Sequence, residues 1–447
     1  MNTRHSIIVN LLRNLGTPRE IEQYLSAFTS VDSARFAVVK VGGGVIETQL
    51  DELASALAFL HGVGLRPIVA HGAGPQLTAA LEAQGEPARW IDGQRVTTPA
   101  TLAVARRVFQ GVATQLADAM DHQGVKARPI SSGVFEVTST SNTALGLVGT
   151  VDRVHLDAIR STITAGYLPI VSPLGETATG QILNLNADVA TSELARSLQP
   201  RKVVFLTPAG GLLDERGGVI PAINLAEDYD RLGRQPWIAG GMALKLRQIK
   251  SLLDTLPDQS SVSITSPDHL AQELFTHRGH GTLIRKGAPI RTITNIDEIH
   301  QTRLRDLIER AFGRRLNDRP VLRGEFMRLL IAGDYTAVAV IDDEAPAPYL
   351  DKFAVTDQAQ GAGIGASLWR RLLDDSPKLF WRTRPDNPIN PWYFQRADGM
   401  RRSEQWIVFW RGVTDRDTIE QCIAYALNRE HSFVCVADTQ TESALAC

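Results

Sequence analysis

Two glycine-rich turns in the first 80 residues could bring backbone N–H groups close to a phosphate. VVKVGGGVI (38–46) places Lys40 before three glycines, and AHGAGPQ (70–76) repeats the glycine turn between a strand and a helix. Glycine lets the backbone approach an anion closely, and helix N-termini favour negative charge. One such turn is weak evidence, because any tight strand-to-helix turn uses glycine. Two turns at successive strand ends favour a phosphate-handling site.

Two later segments supply an acid and a second cation. NLNADVA (184–190) puts Asp188 at a helix start, where its ordinary role is N-capping. GGMALK (240–245) ends in Lys245, whose ordinary role is a solvated helix lysine. Taken singly, each residue is accounted for by its ordinary role, but together with Lys40 their order is diagnostic.

The order of these segments resembles the amino-acid kinase family, and within it the N-acetylglutamate kinases, over about residues 36–285. The resemblance implies ATP with Mg²⁺ as the phosphoryl donor and N-acetyl-L-glutamate as the acceptor. Lys40 and Lys245 would flank the transferred phosphoryl group, and Asp188 would hold both ammonium groups. The remaining implied ligands are backbone donors to phosphate at Gly42, Gly43, Gly72 and Gly74, and side chains for the acceptor's α-carboxylate and acetamido group at Arg95 and Asn184.

The sequence departs from the family pattern at two places. The usual HGGG is HGAG here, with Ala73 in the third position, and the segment beside the nucleotide is TPAGG (207–211), without the usual aspartate. Both departures bear on nucleotide affinity more than on the capacity for phosphoryl transfer.

A second anion-binding loop lies far from the first site. QGAGIGASLW (360–369) follows a strand and opens a helix, so its N–H groups and the helix dipole could cradle a pyrophosphate. A dinucleotide fingerprint is the competing interpretation, but neither the βαβ unit nor the acidic residue that it requires is evident. The loop resembles that of GNAT-type acetyltransferases, which implies acetyl-CoA as ligand. The implied binding residues are Gln360, Gly361, Gly363 and Gly365.

WRTRPDNPINPWYF (381–394) concentrates cations, prolines and aromatic residues. Alternation along a strand puts Arg382 and Arg384 on one face, as two ligands to one dicarboxylate should be. The prolines predict a stiff, extended run after them. Surface charge is the alternative for the arginines, and a structural aromatic is the alternative for Tyr393.

Four ordered blocks, namely APYLDKFAV (347–355), the glycine loop, residues 379–394 and QWIVFW (405–410), resemble the acetyltransferase domain of N-acetylglutamate synthases. The resemblance implies that Tyr393 protonates the departing thiolate of coenzyme A. A side-chain general base is not evident. The other implied roles are glutamate carboxylate binding by Lys352, Arg382, Arg384 and Asn387, and thioester carbonyl binding by the backbone from Phe353 to Val355.

These residues require two kinds of domain. From residue 36, strands and helices alternate, which predicts a mainly parallel sheet covered by helices. After about residue 287 the sequence pattern changes, and two strands joined by a proline-rich turn predict a smaller α+β domain. We therefore expect an N-terminal helical arm at 1–35, a kinase domain at 36–287 and an acetyltransferase domain at 288–447. The helix of the arm, at 17–31, would dock on a partner subunit or on its own domain.

The two implied reactions are consecutive, since the acetyltransferase would make N-acetyl-L-glutamate from L-glutamate and the kinase would phosphorylate it, as in arginine biosynthesis. ELFTHRGHGTLI (273–284) resembles an arginine-binding segment, which implies L-arginine as effector at Glu273 and Gly279, with Tyr24 completing the site. Two alternatives remain: a catalytically dead kinase domain that regulates acetyl transfer, or a C-terminal binding module on a working kinase.

Composition narrows the class of protein. The net charge is −2, so nothing indicates a nucleic-acid or membrane-surface partner, and no apolar run approaches a membrane span. The three cysteines show no metal-binding spacing, so we expect no metal held by the protein, and a reduced, cytoplasmic protein. The N-terminal helix leads us to expect a homo-oligomer, a tetramer or larger.

Overall fold

The computed structural model describes residues 37–434 except 92, 239, 276–280, 318–326 and 357–362. The described residues form two compact units, the first built from 37–225 with 230–286, and the second from 226–229 with 287–434. The bounds given above for the functional domains stay predictions, as does the N-terminal arm, which lies outside the described residues.

The first unit contains two sheets and a hairpin. Its strands are β1 (Ala37–Val41), β2 (Ile68–His71), β3 (Trp90–Ile91), β4 (Gln94–Arg95), β5 (Ala127–Ile130), β6 (Phe135–Ser139), β7 (Gly149–Val154), β8 (Leu168–Val171), β9 (Leu174–Glu176), β10 (Ile182–Asn184), β11 (Lys202–Leu206), β12 (Ala222–Asn224), β13 (Ser261–Thr265) and β14 (Thr282–Arg285). The main sheet has the order β12-β14-β13-β11-β1-β2-β8-β5, and a smaller sheet has the order β10-β9-β6-β7. Every pair in the main sheet is parallel except β13 with β14.

Helices connect and cover these strands. They are α1 (Gly43–Thr48), α2 (Leu50–Gly62), α3 (Gly74–Glu82), α4 (Pro99–His122), α5 (Asp157–Thr164), α6 (Ala187–Leu198), α7 (Leu225–Gly233), α8 (Gly240–Thr255) and α9 (Leu270–Phe275), with 3₁₀ turns at Thr143–Leu145 and Pro267–His269. Along β1, Val39 and Val41 join the core on one face of the sheet, whereas Val38 joins the core on the other. A sheet buried on both faces explains why its strands read as continuous apolar runs.

The second unit is built on one seven-stranded sheet. Its strands are β15 (Ile290–Ile293), β16 (Met327–Ala332), β17 (Ala337–Asp342), β18 (Tyr349–Val355), β19 (Leu379–Thr383), β20 (Gly399–Arg402) and β21 (Ile407–Arg411), and its helices are α10 (Gln301–Phe312), α11 (Ile364–Asp375), α12 (Asn390–Phe394) and α13 (Arg416–Asn428), with a 3₁₀ turn at Ile296–Glu298. The order is β15-β16-β17-β18-β19-β21-β20, and only β18 with β19 is parallel.

The fold class predicted from the sequence is confirmed for both units, including the antiparallel pair β17 and β18. The prediction of an extended run after Arg384 is wrong, because Asn390–Phe394 is a short helix. Pro391 lies in its first turn, where a helix tolerates a missing N–H. Within the described ranges, we find no helix that combines the length and the apolar character needed to cross a bilayer.

Candidate active sites

The two glycine turns lie side by side in the first unit. Because β1 and β2 are parallel and adjacent, with Lys40 opposite Ala70, both turns leave the same edge of the sheet. A Cβ on Gly43 would lie only 2.8 Å from Pro75 Cδ and 3.1 Å from Ala73 Cα. Gln76 Nε2 also donates a 2.8 Å hydrogen bond to the carbonyl of Gly43. Glycine at position 43 is therefore required by the contact between the two turns.

Some of the predicted phosphate donors are already in use. The Gly72 amide donates to the Val41 carbonyl at 2.8 Å, and the Gly42 amide donates to the Leu206 carbonyl at 3.4 Å. These two amides, which were predicted to bind phosphate, are therefore already bonded to backbone carbonyls. At Gly72 the absent side chain matters more, since a Cβ there would approach Ala187 Cβ at 3.4 Å and Lys40 Cε at 3.9 Å.

Asp188 is held between the two lysines. Its carboxylate forms a 2.8 Å ion pair with Lys40 Nζ. Asp188 is not the helix cap, because the side chain of Asn186 accepts from the first amides of α6. Burial works to raise the pKa of Asp188, but Lys40 and then Lys245 outweigh it and hold that pKa below its usual value. The acid therefore stays ionised between two cations.

Lys245 lies on α8 and lines a cavity with Asp188, Phe205 and Ile249. Its ammonium lies 5.7 Å from the centre of the Phe205 ring. Burial lowers the pKa of Lys245; Asp188 opposes this shift and Lys40 adds to it. Asp188 and Lys245 therefore line one cavity, and Lys40 joins them through its ion pair with Asp188.

Arg95 and Asn184 approach the same region from the hairpin and the small sheet. Arg95 is 7% exposed, and its Nη2 donates to Thr78 Oγ1 at 2.7 Å and to the Gly74 carbonyl at 3.3 Å. The Trp90 ring lies 4.5 Å from its guanidinium carbon. Asn184 Nδ2 donates to Thr97 Oγ1 at 3.0 Å. Arg95 Nη1 and Asn184 Oδ1 are buried without a hydrogen-bond partner among the described residues, which leaves one donor and one acceptor for a ligand.

In the second unit, β18 and β19 pair only at Tyr349 and Leu350 within the described ranges. The two parallel strands therefore separate before Phe353 and Val355, and β18 continues along β17 alone. Gly363 begins α11 with φ of 74°, a conformation that favours glycine. A Cβ on Gly365 would lie 3.4 Å from Val355 Cγ2, so the start of α11 lies against the end of β18. Gln360 and Gly361 lie outside the described residues.

Arg382 and Arg384 share one aromatic neighbour. Their guanidinium carbons lie 4.0 and 5.2 Å from the centre of the Trp406 ring. Arg382 donates to three main-chain carbonyls at the end of α13 and just after it, those of Ala426 (2.6 Å), Arg429 (2.7 Å) and Glu430 (3.0 Å). Arg384 Nε, by contrast, is buried and unpaired within the described ranges. Arg384 has the greater capacity for a substrate carboxylate.

Lys352 is surrounded by protein partners. Its ammonium forms a 2.8 Å ion pair with Asp351 and a 2.9 Å hydrogen bond to Ser432 Oγ. Arg429 bonds the other oxygen of Asp351 at 3.3 Å. Burial lowers the pKa of Lys352, Asp351 opposes the shift, and Arg382 adds to it. Lys352 therefore has few N–H groups left for a substrate carboxylate.

Asn387 and Tyr393 occupy the turn after β19. The side chain of Asn387 donates to Thr383 Oγ1 at 2.9 Å and accepts from the Ile389 amide at 3.2 Å, so it organises the turn itself. Tyr393 is 6% exposed and its ring packs against Trp381 and Phe409. Burial raises the pKa of Tyr393, so its phenol stays protonated at neutral pH and remains a donor.

Glu273, the predicted arginine ligand, is 4% exposed. Its carboxylate accepts from Ser263 Oγ at 3.0 Å and from the Gly281 amide at 3.4 Å. Lys202, also buried, has a pKa lowered by burial to about 8, with Glu273 opposing the shift. Gly279 and Tyr24 lie outside the described residues.

Several neighbours of the predicted site residues were not predictable from the sequence alone. Thr97, Trp90, Trp406 and Ser432 each contact a predicted site residue, but nothing in their local sequence marks them. Asp351 had one signal, since it precedes Lys352 and an acid beside a buried lysine is a natural partner.

No group of three or more His, Cys, Asp and Glu side chains within the described ranges could hold a metal ion. Mg²⁺ characteristically takes few protein ligands and binds through substrate phosphates. The two lysines carry no lone pair for a metal and Asp188 is already paired with Lys40, so these residues fit a metal that would be held mainly by substrate phosphates.

Comparison with known proteins finds a matching family model for each half of the chain. Residues 35–255 match the model of the amino acid kinase family, and residues 291–429 match the model described as the N-acetyltransferase of N-acetylglutamate synthase. Each unit thus belongs to a class of group-transfer enzyme, the first to the amino acid kinases and the second to the N-acetyltransferases.

Relatives match both halves together. An acetylglutamate kinase of Xanthomonas campestris pv. campestris is 46% identical and covers 93% of this chain and 99% of its own length. The human mitochondrial N-acetylglutamate synthase is 33% identical over 90% of this chain and 74% of its own length. The chain belongs to the acetylglutamate kinase family and carries an acetyltransferase domain of the N-acetylglutamate synthase type.

A solved structure shows the same fold. It is the N-acetylglutamate synthase of Neisseria gonorrhoeae, complexed with coenzyme A and N-acetyl-glutamate, with a TM-score of 0.58 over 88% of this chain and 97% of that one. At 22% identity, the likeness concerns the fold alone.

Proposed function

We propose that this chain catalyses two consecutive reactions of arginine biosynthesis. The second unit transfers an acetyl group from acetyl-CoA to L-glutamate, and the first unit transfers a phosphoryl group from ATP to the product, N-acetyl-L-glutamate. The observation that carries the kinase half is the ion pair of Lys40 with Asp188 beside a cavity that Lys245 also lines. This intact set argues against a catalytically dead kinase domain.

In the kinase reaction, a γ-carboxylate oxygen of the acceptor attacks the γ-phosphorus of ATP, and the bond to ADP breaks. Lys40 and Lys245 neutralise the charge that these anions bring together, and Asp188 keeps both ammonium groups in place. Arg95 and Asn184 hold the other end of the acceptor. Gly74 leaves open space where a side chain would lie, Gly43 lets the two turns meet, and Mg²⁺ would enter with the nucleotide.

In the acetyl transfer, the amine nitrogen of glutamate attacks the thioester carbonyl carbon, and the bond to sulfur breaks. Arg384, with Lys352 and Arg382 close by, attracts the two carboxylates of glutamate. The glutamate ammonium loses one proton to water before the attack. Tyr393 gives its proton to the departing sulfur, and the second proton lost by the nitrogen returns to the Tyr393 oxygen through water. The backbone of β18 beyond residue 350, where β19 has separated, receives the thioester carbonyl. The convergence of Arg382 and Arg384 on Trp406 supports this site over a mere binding module.

The test is a pair of separate assays on one purified protein, ATP with N-acetylglutamate and acetyl-CoA with glutamate. We expect Lys245→Ala to abolish only phosphoryl transfer and Tyr393→Phe to lower acetyl transfer about 100-fold, with phosphoryl transfer unchanged. Each variant is the control for the other. Loss of both activities from either change in folded protein would contradict the two-site proposal.

We further infer that L-arginine regulates the enzyme through the region of Glu273, that the chain forms a homotetramer, and that it works in the cytoplasm. The buried carboxylate of Glu273 and the N-terminal arm support the first two inferences, and the cysteine pattern supports the third. If millimolar arginine changes neither activity and the purified protein sediments as a monomer, the regulatory and oligomeric parts of this proposal are wrong.

A further inference from the structure

Thr97 is held rigidly beside the acceptor end of the kinase site. It is fully buried between β4 and α4. Its amide donates to the Leu145 carbonyl at 2.8 Å, and its carbonyl accepts from the Leu147 amide at 2.7 Å. Gly146, between these two, has φ of 71°, and a Cβ there would lie 2.5 Å from the carbonyl oxygen of Thr97. The position of Thr97 is therefore fixed from both sides.

The hydroxyl of Thr97 links two predicted substrate ligands. It donates to the Arg95 carbonyl at 3.1 Å, and Asn184 Nδ2 lies 3.0 Å from the same oxygen. A hydroxyl has one proton, and a carbonyl only accepts. Since Thr97 gives that proton to Arg95, its oxygen has only acceptor capacity left for Asn184. The amide of Asn184 must therefore present its NH₂ group to Thr97 and direct Oδ1 elsewhere.

This orientation leaves a buried hydrogen-bond acceptor, Asn184 Oδ1, without a partner in the described part of the chain. The residue as a whole is 8% exposed. Arg95 Nη1 is in the same state as Oδ1, and the two atoms do not bond each other. Buried polar atoms without partners are rare in folded proteins, and at a site they mark the complement of a ligand. The complement here is an N–H donor for Asn184 and an anionic oxygen for Arg95.

We propose that Thr97 is a positioning residue that fixes the side-chain amide of Asn184, so that the kinase site selects its acceptor through the amide N–H of the acylated amine. This inference rests on the proposed kinase function and adds a specificity determinant to it. An acceptor with an ester oxygen in place of the N–H would set a lone pair against Asn184 Oδ1 and leave that atom unsatisfied.

The experiment compares N-acetylglutamate with its ester isostere, 2-acetoxyglutarate, in which oxygen replaces the amide N–H. The wild-type chain should prefer the amide by on the order of 100-fold in kcat/KM. Thr97→Val keeps the shape but removes the hydroxyl, so Asn184 is free to turn its NH₂ group to the ester. We expect the preference to fall by about 10-fold or more, chiefly through KM. Thr97→Ser keeps the hydroxyl and should keep the preference.

Circular dichroism and urea unfolding show whether the first unit of each variant is folded. Acetyl transfer, which belongs to the second unit, should be unchanged. If Thr97→Val does not fold, Thr97→Ala provides a smaller replacement with the same expected loss of preference. Equal loss of kcat/KM for both acceptors would mean that Thr97 has only a structural role and would overturn the proposal. A wild-type chain that phosphorylates neither acceptor would refute the proposed function, whereas an active chain whose preference is unchanged in Thr97→Val would refute only the role of Thr97.

Discussion

Lys40 and Arg382 illustrate two ways in which this chain holds a cation for an anionic substrate. Lys40 pairs with one carboxylate at a cavity, and its side chain keeps 14% of its surface exposed. Arg382 is bonded to three main-chain carbonyls and lies over an indole ring. The first arrangement keeps positive charge available for a transferred group. The second arrangement gives the cation a structural role, so that recognition of the substrate carboxylate falls to Arg384 beside it.

The largest effect should come from removing the acid at the first site. Asp188→Asn keeps the shape but removes the charge between the two lysines, and we expect phosphoryl transfer to fall about 100-fold or more. Asp188 also raises the pKa of Lys245 against burial, so in the variant that pKa falls further. Lys245 must be protonated, so activity should be lost at a lower pH as the solution is made alkaline. The pH profile of kcat measures this.

Glu193→Gln is the matched control, because it neutralises a carboxylate on the same helix that pairs with Arg196 near the surface. It should change kcat less than about 2-fold. If both variants behave alike, the charge between the lysines is not what supports catalysis.

The two arginines of the second site should respond differently to the same substitution. Arg384→Lys should raise KM for glutamate about 10-fold with little change in stability, because lysine lacks the fork that binds a carboxylate. Arg382→Lys should lower the free energy of unfolding of the second unit by about 2 to 3 kcal/mol, since a single ammonium does not reproduce the bonds to three carbonyls. Urea unfolding and glutamate saturation curves measure both. The reverse pattern would mean that Arg382 is the substrate ligand.

The stability of the two units should also respond differently to acidic pH. Burial lowers the pKa of His71 in the first unit to about 4. Its unfolded pKa is near 6.5, so the unfolded state takes up a proton first and stability falls as pH drops from about 6.5 to about 4. In the second unit, Lys352 and Arg429 outweigh burial and lower the pKa of Asp351, so its stabilising effect is lost only below about pH 4.

The first unit should therefore lose about 2 kcal/mol between pH 7 and pH 5 through His71. Urea unfolding at both pH values measures this loss, which should be absent in His71→Gln. His155→Gln is the control, because His155 is exposed and should leave the loss intact. A wild-type loss that persists in His71→Gln would assign the pH dependence to another group.

The smallest effect should come from Ser432. Ser432→Ala removes one of the partners of Lys352 and should raise KM for glutamate about 3-fold, with kcat nearly constant. Ser432→Thr keeps the hydroxyl and should restore the wild-type value. An unchanged KM in Ser432→Ala would mean that Asp351 alone positions Lys352.

How far the sequence predicts these sites depends on the kind of contact. The pairing of Lys40 with Asp188 was predictable only through the resemblance to the amino-acid kinases, because the local position of Asp188 indicates a helix cap. The bond between Thr97 and Asn184 was not predictable, because 87 residues separate them and the intervening segment at 145–148 fixes the geometry. The carbonyl partners of Arg382 were also unpredictable, since every residue has a carbonyl and sequence carries no record of which one is used.

The segment after Arg384 shows a different limit. Its prolines predicted an extended run, yet Asn390 bonds the carbonyls of Arg384 and Pro385 and the chain enters a helix at once. The local rule for the residue before proline was outweighed by side-chain hydrogen bonds to the backbone. Tyr393 is consequently fixed on a helical turn within the aromatic core of the unit.

The contact between Gly43 and the turn at 73–76 has an evolutionary consequence. The two glycine turns touch too closely to vary independently, so they form one inherited unit in which a larger residue at 43 must be matched by a change at Pro75 or Gln76. The replacement of glycine by Ala73 shows where freedom remains, because Ala73 is buried in the apolar core of the first unit. Substitutions in homologous chains should therefore be sparse at 43 and coupled to positions 75 and 76, while position 73 accepts small apolar residues.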